Sequence, residues 1–150
     1  MTSRPVIDAG PALNFVATNQ QRLLFKVLGP LSTPETVQAE VLRKPKNDPR
    51  FQRVPLTWSK LTPTWIEILC DDVTPELDAV CRRLSATGLT DRKARAQDLG
   101  ELMVIAHAVA IAEHHALAVT VVIDERNGAT MATTEAKRLD RFLREAVRLR

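Results

Sequence analysis

Cysteine is nearly absent: Cys70 and Cys81 are the only two in 150 residues, and their separation matches no metal-ligand spacing. That argues against a disulfide framework and against a cysteine-based zinc site, and it fits a reducing cytoplasm. Long apolar runs are missing too. The longest uncharged apolar stretch, Leu102 to Ala112, is far short of the ~20 residues needed to span a bilayer. The opening Met1-Thr2-Ser3-Arg4-Pro5 reaches Asp8 before a signal-peptide core could develop, so the expectation is a soluble cytoplasmic protein without a membrane partner. No internal repeat or low-complexity segment occurs. A net charge of only +3 excludes a general polycation.

What is present suits one domain over residues 1–150. With 45% hydrophobic and 26% charged residues, the chain can bury a sizeable core. Its cations are unevenly placed. Arg138, Arg141, Arg144, Arg148 and Arg150 crowd the C-terminal end, and Asp91-Arg92-Lys93-Ala94-Arg95 forms a second basic stretch. Such patches either attract a polyanion or form a solvated helix face.

Hydrophobic periodicity outlines the elements. Pro5-Val6-Ile7 reads as a short strand stopped by Asp8, with Gly10-Pro11 as a turn. Ala12 to Val27 has helical spacing and ends at Gly29-Pro30. Thr33-Pro34 opens a second helix, Thr33 as cap and Pro34 in its first turn, with Val37, Val41 and Leu42 as its stripe. Lys44 to Pro63 reads as a long loop with at most one helical turn. Trp65 to Leu69 alternates like a strand, and Thr74-Pro75 caps a helix through Leu84. Gly88 to Gln97 reads as a polar loop before a long buried helix, Asp98 to His115. Leu117 to Ile123 has the β-branched character of a central parallel strand. Thr133 to Arg150 forms an amphipathic helix with Leu139, Phe142, Leu143, Ala146 and Val147 on one side, a face that either docks on the chain's own sheet, which is the expectation, or binds another protein. Alternating strands and helices predict an α/β fold with a mostly parallel sheet. A fourth short strand is expected near Gly29 to Leu31.

Two strands end directly in an aspartate, Asp8 and Asp124. In open α/β sheets the working crevice lies at the carboxyl ends of the strands, so parallel neighbours would bring these two acids together. Glu40 sits beside the Val37 stripe, either facing solvent or entering a site. Glu101 shares a stripe with Ile105, Val109 and Ala112. It is either a carboxylate on the buried side of a helix or the closing member of a capping box begun by Asp98. Gathered carboxylates repel unless a cation neutralises them, and a hard divalent ion such as Mg²⁺ suits oxygen ligands. His107, His114 and His115 have no zinc-ligand spacing. His107 is expected in the core, and the other two at a helix C-terminus.

Four segments together resemble the PIN-domain family. They are Val6-Ile7-Asp8-Ala9-Gly10-Pro11-Ala12-Leu13, Thr33-Pro34-Glu35-Thr36-Val37-Gln38-Ala39-Glu40-Val41, Asp98-Leu99-Gly100-Glu101, and Val121-Val122-Ile123-Asp124-Glu125-Arg126. The match covers about residues 5–132 in the family's order. The resemblance implies a three-layer fold with a central parallel sheet and a Mg²⁺- or Mn²⁺-dependent endoribonuclease. It also implies catalytic acids at Asp8, Glu40, Glu101 and Asp124, of which Asp8, Glu101 and Asp124 would hold metal; Asp98 is either a further ligand or simply the helix cap. Many bacterial members are VapC-like toxins, often dimeric, and neutralised by a small antitoxin that covers the acidic crevice. Three features depart from the pattern: Ala9 and Gly10 stand where a hydroxyl residue commonly follows the first acid, Asp98 occupies a position often held by glycine, and an arginine-rich helix over 133–150 replaces the closing strand. Two other functions fit the same residues: a PIN-like module that binds RNA or regulates without turnover, and a metal-dependent phosphohydrolase or DNA nuclease.

Overall fold

Val6 and Ile7 are both fully buried, and so is every residue from Leu31 to Pro34. Successive strand side chains point to opposite faces, so both faces of these strands are covered, which makes a three-layer α/β arrangement. The computed structural model describes residues 3–124 and 126–148, without the side chains of 126, 127, 143 and 145–148. Glu125 and Arg150, and the side chains of Arg126, Leu143, Ala146, Val147 and Arg148, used in the sequence reading, lie outside the described residues.

The elements run β1 (Val6–Ile7), α1 (Ala9–Ala17), α2 (Gln21–Leu28), β2 (Leu31–Pro34), α3 (Glu35–Arg43), α4 (Val54–Leu61), β3 (Ile66–Leu69), α5 (Pro75–Ser85), α6 (Leu89–Lys93), α7 (Leu99–His115), β4 (Val121–Val122) and α8 (Arg126–Arg148). The sheet is all parallel in the order β3-β2-β1-β4. Val6 stands opposite Ser32 on one side and Val121 on the other, and Ile7 opposite Val122. The chain therefore moves outward from β1 in one direction through β2 and β3, then returns to its other side with β4. This reversal is a topological switch point, and it opens a crevice at the carboxyl ends of β1 and β4. Among the described residues no helix is long and apolar enough to cross a membrane.

Several elements differ from the periodicity reading, each for a local reason. The single helix expected over Ala12 to Val27 is two helices. Asn19 breaks it with a left-handed backbone (φ 57°), a conformation asparagine tolerates, while apolar spacing is helical on both sides of the break. Thr33 and Pro34 belong to β2, the fourth strand, rather than to a helix start. The Thr33 hydroxyl donates to the Ile7 carbonyl of β1 at 2.9 Å instead of capping α3. The segment read as a loop over Lys44 to Pro63 holds two 3-10 turns, Lys44–Lys46 and Pro49–Phe51, and then α4. Its proline signals start these helices, and Phe51, Val54 and Trp58 complete the core beside α1 and α3. The Gly88 to Gln97 loop contains α6, whose Leu89 is buried. Arg92 there donates to the carbonyls of Arg95 and Gln97, so this part of the basic stretch braces its own turn. The apolar run Leu117 to Ile123 forms only the two-residue β4, and it lies at the sheet edge, half-buried. It is an edge because no described strand follows; the chain turns into α8 instead. That helix starts at Arg126, before the expected Thr133, and packs on α7. Met131 and Ala132 meet the α5–α7 cluster, and Arg138 bonds Glu113.

His107 has a polar role that sequence spacing did not suggest. Its Nε2 lies 2.7 Å from Oδ1 of Asp71, a buried residue just beyond β3. The other oxygen of Asp71 accepts from the backbone N–H and the hydroxyl of Thr36, at 2.7 and 2.5 Å. Burial pushes the Asp71 carboxyl up. The bonds from His107 and Thr36 more than reverse this and hold it below its ordinary 3.8. The fold thus favours the ionised form. Its contribution is complete above that ordinary value and is lost as pH falls through the lowered one. Replacing Asp71 with Asn should cost about 1–3 kcal/mol at neutral pH, the range for hydrogen bonds to a charged group. Urea unfolding of both proteins from about pH 7 down to about pH 3 should show the gap closing once pH drops below the ordinary carboxylate range; a constant gap would contradict it.

Candidate active site at the switch point

Asp8 ends β1 and starts α1. Its backbone is extended (φ −87°, ψ 167°), and its Oδ1 accepts from Ala9 N at 2.8 Å, so the carboxylate is oriented by the helix it caps. Asp124 follows β4 two residues after Val122, which pairs with Ile7. Both aspartates line one crevice of about 370 Å³, together with Glu40, Asp98 and Glu101. Asp8 and Glu101 are buried there at 6% and 9% exposure, Glu40 is half-buried, and Asp98 and Asp124 are exposed. Every acid singled out in the sequence therefore opens onto the same space. Of the two readings of Glu101, the capping box does not form. Asp98 has a left-handed backbone (φ 54°) and makes no cap bond, while Glu101 packs into the crevice.

Glycines explain how the acids fit. A Cβ on Gly100 would stand 3.2 Å from Glu40 Oε2 and 3.8 Å from Asp8 Oδ1, so those oxygens are no further apart than the sum of these distances. A Cβ on Gly10 would collide with the Asp124 carboxylate, and one on Gly128 with the Glu101 side chain. Gly10, read from sequence as part of a turn, instead lies in the first turn of α1 with Pro11, where proline is tolerated. Gly128 lies in the first turn of α8, so Glu101 packs against a helix N-terminus, where negative charge is favoured. Each glycine makes room for an acid from a different segment of the chain.

The crevice wall also carries Arg43, Lys44 and Arg50, which the sequence reading did not single out. The signal was available: five cations fall between Arg43 and Arg53, opposed only by Asp48. Arg50 is engaged with that acid through a two-pronged bond, 3.0 Å from Nε and 2.6 Å from Nη2, and this holds the Asp48 carboxyl down to about 2. Arg43 and Lys44 are exposed and form no ion pair with another described residue, which leaves them available to an anionic ligand.

Protein-family models, curated proteins and solved structures were compared with the chain, and none matches. The chemistry therefore rests on the site's own residues. The donors are all hard oxygens, suited to Mg²⁺ or Mn²⁺. Among the described residues no three acidic, histidine or cysteine side chains form a ready-made cage. Mg²⁺ does not need one, because it commonly binds through one or two carboxylates and keeps several waters. Asp8, Glu101 and Asp124 line the same crevice and offer such carboxylates. A second, larger groove of about 810 Å³ between α7, β4 and α8 is mostly apolar. Its Glu113, Glu135 and Arg138 are tied to one another, and none of the five crevice acids lines it.

Gly10→Ala and Gly128→Ala separate the site from the fold. Each adds a residue that favours helix by roughly 1 kcal/mol over glycine, and each displaces an acidic side chain from its place, Asp124 for Gly10 and Glu101 for Gly128. Both variants should unfold within about 1 kcal/mol of the parent and bind Mn²⁺ about 10- to 100-fold more weakly by calorimetry. Unchanged Mn²⁺ affinity would show that the acids need not stand where the glycines let them.

Proposed function

We propose that the chain is a metal-dependent endoribonuclease of the PIN type. The observation that carries the proposal is the convergence of Asp8, Glu40, Glu101 and Asp124, from four separate segments, on one crevice at the switch point, with Arg43 and Lys44 on its wall. These are the four acids that the resemblance names, and Asp98 joins them.

A divalent cation held by Asp8, Glu101 and Asp124, with Asp98 beside them, would neutralise the gathered charge and make a bound water more acidic. Asp8 is held in orientation by Ala9 N. Glu40, a close neighbour of Asp8 across Gly100, accepts a proton from the attacking water in this reading. Arg43 and Lys44 hold phosphates flanking the scissile bond, which sets where the strand lies. Arg50 stays on Asp48 and contributes positive potential more than a direct contact.

Asp8→Asn and Asp124→Asn should each lower Mg²⁺-dependent RNA cleavage by about 10²-fold or more while circular dichroism and melting stay close to the parent. Arg43→Ala and Lys44→Ala should instead raise KM and reduce the salt dependence of RNA binding by about one counterion per lost phosphate contact. A substrate panel of RNA, single-stranded DNA and small phosphate esters decides the class, and a preference for either of the latter would replace this reading. The lack of a ready-made metal cage among the described residues favours one second reading, an RNA-binding module without turnover. Parent protein that binds RNA but cleaves none with Mg²⁺ or Mn²⁺ would establish it. A toxin role, with a small antitoxin over the crevice, belongs to the same proposal and is tested by a small reading frame immediately upstream.

A further inference from the structure

We infer that Asp71 is a positioning residue for the crevice, acting with His107 and Thr36 to set the register of α3 against α7. The inference builds on the acidic site proposed above, although its geometry is independent of any metal.

Helix α3 carries Glu40, and its N-terminus has no cap of its own, because Pro34 offers no side-chain acceptor. Asp71 supplies the acceptor from another part of the chain, receiving the Thr36 N–H and hydroxyl on Oδ2. The Asp71 backbone N–H in turn donates to Glu35 Oε2 at 2.8 Å, and its carbonyl accepts from Lys93 Nζ at 2.8 Å. An ionised carboxylate only accepts, so His107 Nε2 carries the proton in its 2.7 Å contact with Oδ1. One buried side chain thus holds the first turn of α3 and the middle of α7 together.

The consequence at the crevice follows from helix periodicity. Thr36 and Glu40 are four residues apart and lie one above the other on α3. Gly100 and His107 are seven apart and share a face of α7. Gly100 meets Glu40 and His107 meets the Asp71–Thr36 pair, so the two helices run antiparallel with one contact at each end of their shared face. Sliding α3 along α7 would break the Asp71 bridge and drag Glu40 off Gly100 together. Gly100 has no side chain with which to hold Glu40 in one direction, whereas the Asp71 bridge is directional. Asp71 lines no part of the crevice, so any effect on the acids is transmitted through the helices.

The test compares Asp71→Ala and His107→Ala with Val80→Ala, a cavity in the α5–α7 cluster at a residue that makes none of the hydrogen bonds of the Asp71 bridge. Backbone amide spectra of metal-free protein are recorded well below each melting temperature, and Mn²⁺ affinity is measured by calorimetry. In both bridge variants the Glu40 and Gly100 amide signals should shift, while in Val80→Ala they stay in place. Mn²⁺ should bind about tenfold more weakly in the bridge variants, the lower end of the cost of losing an outer partner. The double variant should be no weaker than Asp71→Ala alone, since that change already removes the His107 contact. His107→Gln, which keeps an N–H donor, should restore both readouts. Should Asp71→Ala fail to fold, His107→Ala and His107→Gln carry the comparison. Glu40 and Gly100 signals that stay in place in the bridge variants, or shift equally in Val80→Ala, would overturn the inference. Parent protein that binds no Mn²⁺ would instead defeat the metal-dependent reading of the site, and the amide spectra would still decide the role of Asp71.

Discussion

Two backbone hydrogen bonds, Val6 N to Thr120 O at 2.9 Å and Asp8 N to Val122 O at 3.0 Å, join the first strand of the chain to the last. The rest of the site depends on them. They span more than a hundred residues, and they place Asp8 and Asp124 at the same end of neighbouring parallel strands. A parallel ladder sets this direction: an antiparallel pairing would have sent the two aspartates to opposite ends of the sheet. The ladder is short, and β4 has no neighbour on its other side among the described residues. Packing of α7 and α8 against the same region supports it, through the Arg83, Glu113, Glu135 and Arg138 ion network and the Met131 and Ala132 contacts.

Bringing acids together sets carboxylate against carboxylate, and the chain accommodates this sterically before any ion is considered. Gly10 in α1 receives Asp124, Gly100 in α7 receives Glu40 and Asp8, and Gly128 in α8 receives Glu101. The interlock means that no segment assembles its part of the crevice alone. It also explains glycine inside helices, where it is disfavoured by roughly 1 kcal/mol. The same economy operates at the back of α3, where a carboxylate from the β3–α5 loop replaces the missing cap and reaches α7 through His107.

Much of the fold was legible where a local signal matched the final environment. Thr74 caps α5 as read, with Leu77 N donating to its hydroxyl, and Gly29 ends α2 with a positive φ of 74°. The strand-end aspartates were legible because β-branched runs stopped at them. Failures came where one local signal had two outcomes. Thr33 and Pro34 suit a helix start, yet the Thr33 hydroxyl found the Ile7 carbonyl of a neighbouring strand. Asp98 and Glu101 have capping-box spacing, yet the left-handed backbone at Asp98 turns its side chain from that task. Lys44 to Pro63 looked polar because its apolar residues are sparse, but Phe51, Val54 and Trp58 are each nearly or fully buried.

The sequence by itself determined the α/β class, the order of the main strands and helices, and the identity of the acids. Periodicity and strand-end placement depend on neighbours a few residues away. Tertiary structure alone decided which strand is an edge, that Glu101 lies in the crevice rather than in a cap, and that Asp71 binds His107 and Thr36. It also decided that Arg43, Lys44 and Arg50 line the crevice with the acids. Each of these depends on contacts between residues far apart in the chain. Their partners exist only once the sheet has chosen its order, and the glycine beside each acid belongs to another segment.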